Sequence, residues 1–102
     1  MPHVIYSPGA IADLLRLRDF LKAKNVDAAK RAVAAIRADI AKAGFNPERY
    51  RPVEDLLHYR EIIIDFGSSG YIARFRYEAG GDVVIVRIKH QLEDDFPANY
   101  SF

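Results

Sequence analysis

The residues best suited to chemistry in this 102-residue chain are basic ones placed at alternate positions in strand-like runs. Arg74 and Arg76 stand in GYIARFRY, Arg87, Lys89 and His90 in DVVIVRIKH, and Arg60 near the start of YREIIIDF. Side chains two apart share one face of a strand. Arg74, Arg76, Arg87 and Lys89 are therefore expected on one sheet face, with Arg60 near its edge. Such a set can form a solvated face whose charges pair with Glu61, Asp65, Glu78 and Asp82. Exposed pairs of that kind are worth about 0–1 kcal/mol each. The set can equally dock an acidic, partly disordered segment or a target protein, because Arg is favoured in interfaces. Of these residues only His90 titrates near neutrality. A lone His at a strand end serves a structural hydrogen bond as readily as it serves catalysis. The acidic run Glu93-Asp94-Asp95 follows closely and repels a phosphate. No catalytic residue, metal ligand or cofactor site is assigned.

The elements that must position these residues are easy to delimit. The three runs between residues 59 and 90 are rich in Ile, Val, Tyr and Phe. Gly67-Ser68-Ser69-Gly70 and Ala79-Gly80-Gly81-Asp82 separate them, which predicts an antiparallel meander. Before it, His3-Val4-Ile5-Tyr6 reads as a first strand. Ser7-Pro8 opens a helix, with Ser as N-cap and Pro at the first helical position. Ile11, Leu14, Leu15, Leu17 and Leu21 give it a broad apolar face, and it is expected to end near Lys24-Asn25. Asp27 is the expected N-cap of a second helix over residues 28–43. Its stripe is Ala29, Ala32, Val33, Ile36, Ile40 and Ala43, and Gly44 is its natural C′ residue. The short break between the two predicts an antiparallel hairpin.

Residues 45–58 contain Asn46-Pro47 and Arg51-Pro52 and read as an ordered loop. One helical turn fits residues 53–57, and the aromatics and leucines of this stretch are expected to plug the end of the core. The fold class is α+β. An N-terminal strand and an antiparallel helix hairpin pack on a mainly antiparallel four-stranded sheet, in the order β-α-α-β-β-β. Residues 1–102 form one domain, and residues 92–102 form an acidic and aromatic tail.

That length allows a core without a metal or disulfide, and the chain has no Cys. A reducing cytoplasm is the expected compartment. The N-terminus lacks the basic and apolar regions of a signal peptide, and no apolar run approaches the roughly 20 residues that span a bilayer. A net charge of +1 does not mark a nucleic-acid binder or a membrane-surface protein, so electrostatics must act through local placement.

The ordered set of segments resembles the RelE/ParE superfamily of type II toxins from about Ile5 to about Phe96. Ile5-Tyr6-Ser7-Pro8 with Ala12, Asp13 and Leu14 is similar to the family's first strand and helix start. Arg60-Glu61 with the apolar residues after it is similar to its second strand. Residues 70–77 resemble its Gly-Tyr-x-x-x-Tyr/Phe-Arg strand, and residues 86–91 with Asp94 resemble its closing strand. The resemblance implies a toxin neutralised by a cognate, ParD-like antitoxin in a hetero-oligomer. It implies no membrane role and no sequence-specific DNA binding by the toxin alone. In ParE-like members the implied target is DNA gyrase; in RelE-like members it is mRNA on the ribosome.

RNA cleavage through the 2′-OH needs a base, an acid and positive charge at the phosphate. RelE-like nucleases supply these with lysines on the second strand and an Arg directly after the Gly-Tyr of the third. Here those positions read Ile62-Ile63-Ile64-Asp65 and Ile72, so the ParE-like branch is favoured. Arg60, Arg74, Arg76, Arg87, Lys89 and His90 are the expected target-binding residues. Leu14, Leu15, Leu17, Phe20 and Leu21, with Arg74 and Arg76, are the expected antitoxin-binding ones, since the first helix is apolar over more of its circumference than one stripe requires. The open alternatives are a RelE-like mRNA endonuclease and a non-toxic, antitoxin-binding relative.

Overall fold

The computed structural model describes residues 2–96. Strand β1 (Val4–Tyr6) leads into helices α1 (Pro8–Lys22) and α2 (Val26–Ala43). A 3-10 turn at Pro47–Arg49 and a two-residue strand β2 (Arg51–Pro52) follow, then β3 (Tyr59–Phe66), β4 (Ser69–Arg76) and β5 (Val83–His90). The sheet order is β1-β5-β4-β3-β2, with β1 parallel to β5 and the other pairs antiparallel. The α+β order of elements is as expected. The sheet has five strands rather than four, because Arg51 and Pro52 pair with Glu61 and Arg60.

The first strand and helix are tied to β5 at one residue. Ser7 accepts a hydrogen bond from the Ala10 N–H at 3.1 Å, which caps α1, and donates its hydroxyl to the Val86 carbonyl at 3.0 Å. Its own N–H reaches the Ile85 carbonyl at 2.9 Å. The cap of α2 is Asn25, accepting from Ala28 N–H at 3.0 Å, two residues earlier than the expected Asp27. Asp27 instead lies in the first turn, where its charge complements the helix dipole. Gly44 ends α2 with a helical φ of −65° rather than a left-handed one. A Cβ there would stand 3.0 Å from Val4 Cγ2, so this glycine admits β1.

The core lies between the helices and one sheet face. Ala10, Leu17, Ala32, Ile36 and Ile40 meet Ile62, Ile64, Tyr71, Ala73, Phe75, Val83, Ile85 and Ile88. The turn between β3 and β4 uses Gly67 at φ 62°, and Gly70 at φ 141° lies where a Cβ would collide with the Ile64 carbonyl oxygen at 2.0 Å. Of the loop aromatics, Tyr50 packs edge-on against Phe75 with centroids 5.8 Å apart, while Phe45 and Leu57 are exposed. Residues 53–57 form turns rather than a helical turn, with Asp55 at φ 62° and His58 at φ 70°. The helical turn falls instead at Pro47–Arg49.

A bulge in β5 changes the phase of that strand. The register runs Ala73↔Ile88 and Arg74↔Arg87, then jumps to Phe75↔Ile85, leaving Val86 as the extra residue. Val83, Ile85 and Ile88 therefore all join the core, although strict alternation separates Ile88 from the other two.

Candidate functional site

The bulge sets Arg74 directly across from Arg87 on the sheet face that the helices leave open. Like charges placed so closely repel, and each is drawn to its own carboxylate. Arg74 donates Nε and Nη2 to Glu61 Oε2 at 3.0 and 2.7 Å, and Arg51 Nη2 takes the other Glu61 oxygen at 2.9 Å. Arg87 turns to α1 and donates to both oxygens of Asp13 at 2.7 and 3.1 Å. Asp13 is buried and also accepts the Ile88 N–H at 2.8 Å. It satisfies the β5 edge beyond the end of β1, a role that its place in an amphipathic helix does not advertise.

The remaining expected residues divide. Arg76 pairs with Glu78 at 2.7 Å at the rim of the open face, as an exposed contact. Lys89 is buried, donating to the Glu93 carbonyl at 3.0 Å. Arg60 belongs to the other face: it pairs across from Phe75 and donates to the Glu48 and Tyr50 carbonyls at 3.1 and 2.7 Å, closing the loop before β2. It does not join the basic set. His90 also stands apart, beside Tyr71 in an edge-on contact at 5.4 Å. Its Nδ1 accepts the Leu92 N–H at 3.2 Å, which places the neutral ring's proton on Nε2, 3.0 Å from Ser69 Oγ. Both ring nitrogens are thus engaged within the chain. Of the carboxylates expected as partners, Glu61 and Glu78 pair with these cations, while Asp82 accepts the His3 N–H at 3.1 Å.

Residues 92–96 fold back across this face. Glu93 is held by Arg16 at 2.6 Å and accepts the His90 N–H at 2.8 Å. The Phe96 ring lies 4.5 Å from the Arg74 guanidinium carbon and 5.6 Å from Lys89 Nζ. The rest of the tail, residues 97–102, lies outside the described residues.

A second surface runs along the outside of the helix hairpin. Tyr6, Ile11, Leu14, Leu15 and Val33 line one groove, and Val26, Ala29, Val33 and Ala34 the next. Arg18 and Arg37 border both, with Lys22 and Lys30 beside the second. Among the described residues no carboxylate lies within ion-pair range of Lys22, Lys30 or Arg37. The helix residues singled out in the sequence split accordingly. Leu17 is core, Leu14 and Leu21 are half-buried, and Leu15 and Phe20 are exposed. Phe20 carries Lys24 over its ring at 4.4 Å. The α2 residues Val33 and Arg37 complete the groove. Val33 falls on the helix's apolar stripe and so does not read as a surface residue, whereas Arg37 lies off that stripe.

The groove leaves a chemical trace on Tyr6. Burial raises its phenol above the usual range, while the nearby Arg37 charge lowers it. Tyr71, at the other end of the molecule, is raised by burial and further by Glu93. Among the described residues there is no cluster of His, Cys, Asp or Glu able to hold a metal ion, and no helix long and apolar enough to cross a membrane.

Comparison with known proteins accords with this architecture. No curated protein sequence matches the chain. Among solved structures, a chain of the chromosomal ParDE TA system from P. aeruginosa superimposes with a TM-score of 0.75 at 18% identity, covering 88% of this chain and 96% of that one. The family model for the ParE toxin of the type II toxin–antitoxin system parDE matches residues 4–95, from the first strand through the fold-back over the open face. By that match, this chain belongs to the ParE toxin family.

Proposed function

We propose that this chain arrests growth by binding DNA gyrase in the cytoplasm, without catalysis, as one domain spanning residues 1–102. A cognate antitoxin of the ParD kind holds it inactive in a hetero-oligomer. The observation that carries the antitoxin half is the hairpin groove, whose apolar floor is bordered by Lys22, Lys30 and Arg37, with no carboxylate in ion-pair range among the described residues, and by Arg18, which pairs with Asp19. An amphipathic helix with an acidic border fits such a groove by burying its apolar face and meeting the rim charges. Leu14, Leu15, Phe20 and Leu21 contribute to that contact, and Leu17 supports it from beneath. For the target, Arg74, Arg76, Arg87 and Lys89 on the open face remain the leading residues.

Binding is favoured over RNA cutting by the state of the candidate groups. Arg74, Arg76 and Arg87 are drawn to carboxylates, and the His90 ring is held at both nitrogens. A general base needs a free lone pair within reach of the proton it removes.

The test is a pulse induction in bacteria, following thymidine and amino-acid incorporation over the first minutes, then a gyrase supercoiling assay with purified chain. The expected result is early loss of DNA synthesis and inhibited supercoiling. Loss of translation first, with mRNA cut on ribosomes, replaces this reading by the endonuclease. Unimpaired growth leaves only an antitoxin-binding relative.

A further inference from the structure

The open sheet face is occupied by the chain itself, and the occupant is chemically distinctive. Within four residues the fold-back segment supplies a backbone carbonyl to Lys89 at 3.0 Å, the Asp95 carboxylate 3.9 Å from the same ammonium, and the Phe96 ring against Arg74 at 4.5 Å. We propose that this face is a docking site for an acidic, aromatic-bearing peptide segment of a partner protein, and that residues 93–96 fill it in the free chain. The proposal deepens the reading of the face as a partner surface and rests on it.

Three observations support a displaceable occupant rather than a structural closure. First, the segment does not seal the face: an open cleft of about 420 Å³ lies beside it, lined by Arg87, Lys89, Leu92 and Phe96 among others. Second, its charges are exposed. Asp95 is fully solvated and the Glu93 side chain keeps 38% of its exposure, so their attraction is screened by salt. Third, two of the three cations beneath, Arg74 and Arg87, are held by carboxylates outside the segment, and only Lys89 depends on the segment for its partners. Glu61 holds Arg74 and Asp13 holds Arg87, so the face keeps its shape when the segment lifts.

The same carboxylates argue for a peptide rather than a nucleic acid. Glu61 and Asp13 already hold Arg74 and Arg87, so a phosphate must compete with them for these guanidinium groups, while an aromatic ring stacks on a guanidinium that keeps its carboxylate, as Phe96 does on Arg74. The tethered segment competes at an effective concentration in the millimolar range, so a partner segment must bind more tightly than the chain's own.

The test uses a fluorescent peptide with the chain's own sequence from Leu92 to Phe102, titrated into three proteins: the full chain, a chain ending at Gln91, and full-length Phe96→Ala. The truncated chain is expected to bind at least tenfold more tightly than the full chain, with Phe96→Ala in between. Raising NaCl from 50 to 300 mM is expected to weaken binding several-fold, and a peptide with Glu93, Asp94 and Asp95 replaced by their amides to lose it. Equal affinity for full and truncated chains overturns the proposal. So does an amide peptide that binds unchanged, or a single-stranded RNA that binds the truncated chain more tightly than the peptide. Where the truncated chain fails to fold, the comparison of Phe96→Ala with the full chain decides alone. A difference under threefold overturns the proposal. Growth and supercoiling assays do not enter this experiment, so its failure is separable from failure of the toxin reading.

Discussion

The two candidate surfaces carry the same charge but hold it in opposite states. On the open sheet face Arg74, Arg76 and Arg87 each have a carboxylate of the chain within 2.7 Å, and Phe96 covers Arg74 and Lys89. On the helix hairpin, Lys22, Lys30 and Arg37 border an apolar groove with no such carboxylate among the described residues. The difference separates cations that a partner must share with the chain's own carboxylates from cations that it meets unpaired. Cations paired inside the chain stabilise the fold when kept and destabilise it when one partner is removed. Unpaired cations beside exposed apolar side chains do little for the folded chain alone, and are available to a partner. Counting basic residues therefore does not describe an interface by itself; which of them are already paired sets how each surface binds.

The sharpest way to break this contrast is to remove an answering carboxylate. Asp13→Ala strands the Arg87 guanidinium and leaves the Ile88 N–H without its acceptor at the β5 edge. Loss of one partner from a buried pair costs about 3–5 kcal/mol, so chemical denaturation should show the chain near the limit of folding. Glu61→Gln keeps the shape but removes the charge shared by Arg74 and Arg51. A loss of about 2 kcal/mol is expected, since charge-assisted hydrogen bonds are worth about 1.5–3 kcal/mol. If either variant unfolds at the wild-type denaturant concentration, the paired face is not structural.

How much of this contrast is visible before folding depends on the range of the interaction. The strands and helix hairpin follow from local periodicity, and Ser7-Pro8 marks the start of α1 as expected. Arg60, expected near the edge of the basic face, lies on the other one, although its spacing of two and four residues from Ile62 and Ile64 already puts it on their face. Arg87 and Lys89 fall on the open face as alternation predicts, but the faces of β5 before Val86 were not legible, because a bulge is set by the partner strand's register and shifts the alternation by one. Asp13 was hidden for a similar reason. Within α1 it resembles any helix acid, and its burial arises only because β1 stops at Tyr6 and leaves the next stretch of β5 to be capped by the helix. The groove's second wall was hidden because α2's stripe is wider than the core requires, so Val33 reads as buried.

The hairpin groove is expected to behave in the opposite way. Arg37→Glu and Leu15→Glu change exposed residues, so thermal stability should move by about 0.5 kcal/mol or less. Binding of the cognate antitoxin should weaken tenfold or more, or about 1.4 kcal/mol, by calorimetry on the purified pair, and co-expression should no longer rescue growth fully. A variant that loses stability but keeps antitoxin affinity reverses the assignment of the two surfaces.

The smallest effect expected concerns two tyrosines, Tyr6 at the hairpin groove and the core residue Tyr71, which feels the charge of Glu93. Burial raises both phenols, but Arg37 opposes the rise at Tyr6 and Glu93 adds to it at Tyr71. A phenol whose folded value exceeds its unfolded value, about 10, holds its proton more tightly in the native chain. Its stabilising contribution is complete below about pH 10 and is lost as pH rises through the folded value. Tyr71→Phe should therefore flatten the decline in thermal stability between pH 9 and pH 11, and so should Tyr6→Phe. Replacing the neighbours separates the two. Glu93→Gln should lower the Tyr71 titration and Arg37→Ala should raise that of Tyr6, both read from phenolate absorbance. Opposite responses to the loss of an anion and a cation locate the negative segment beside Tyr71 and the positive groove beside Tyr6. Identical responses mean that burial alone governs both, and that neither surface projects a field onto its tyrosine.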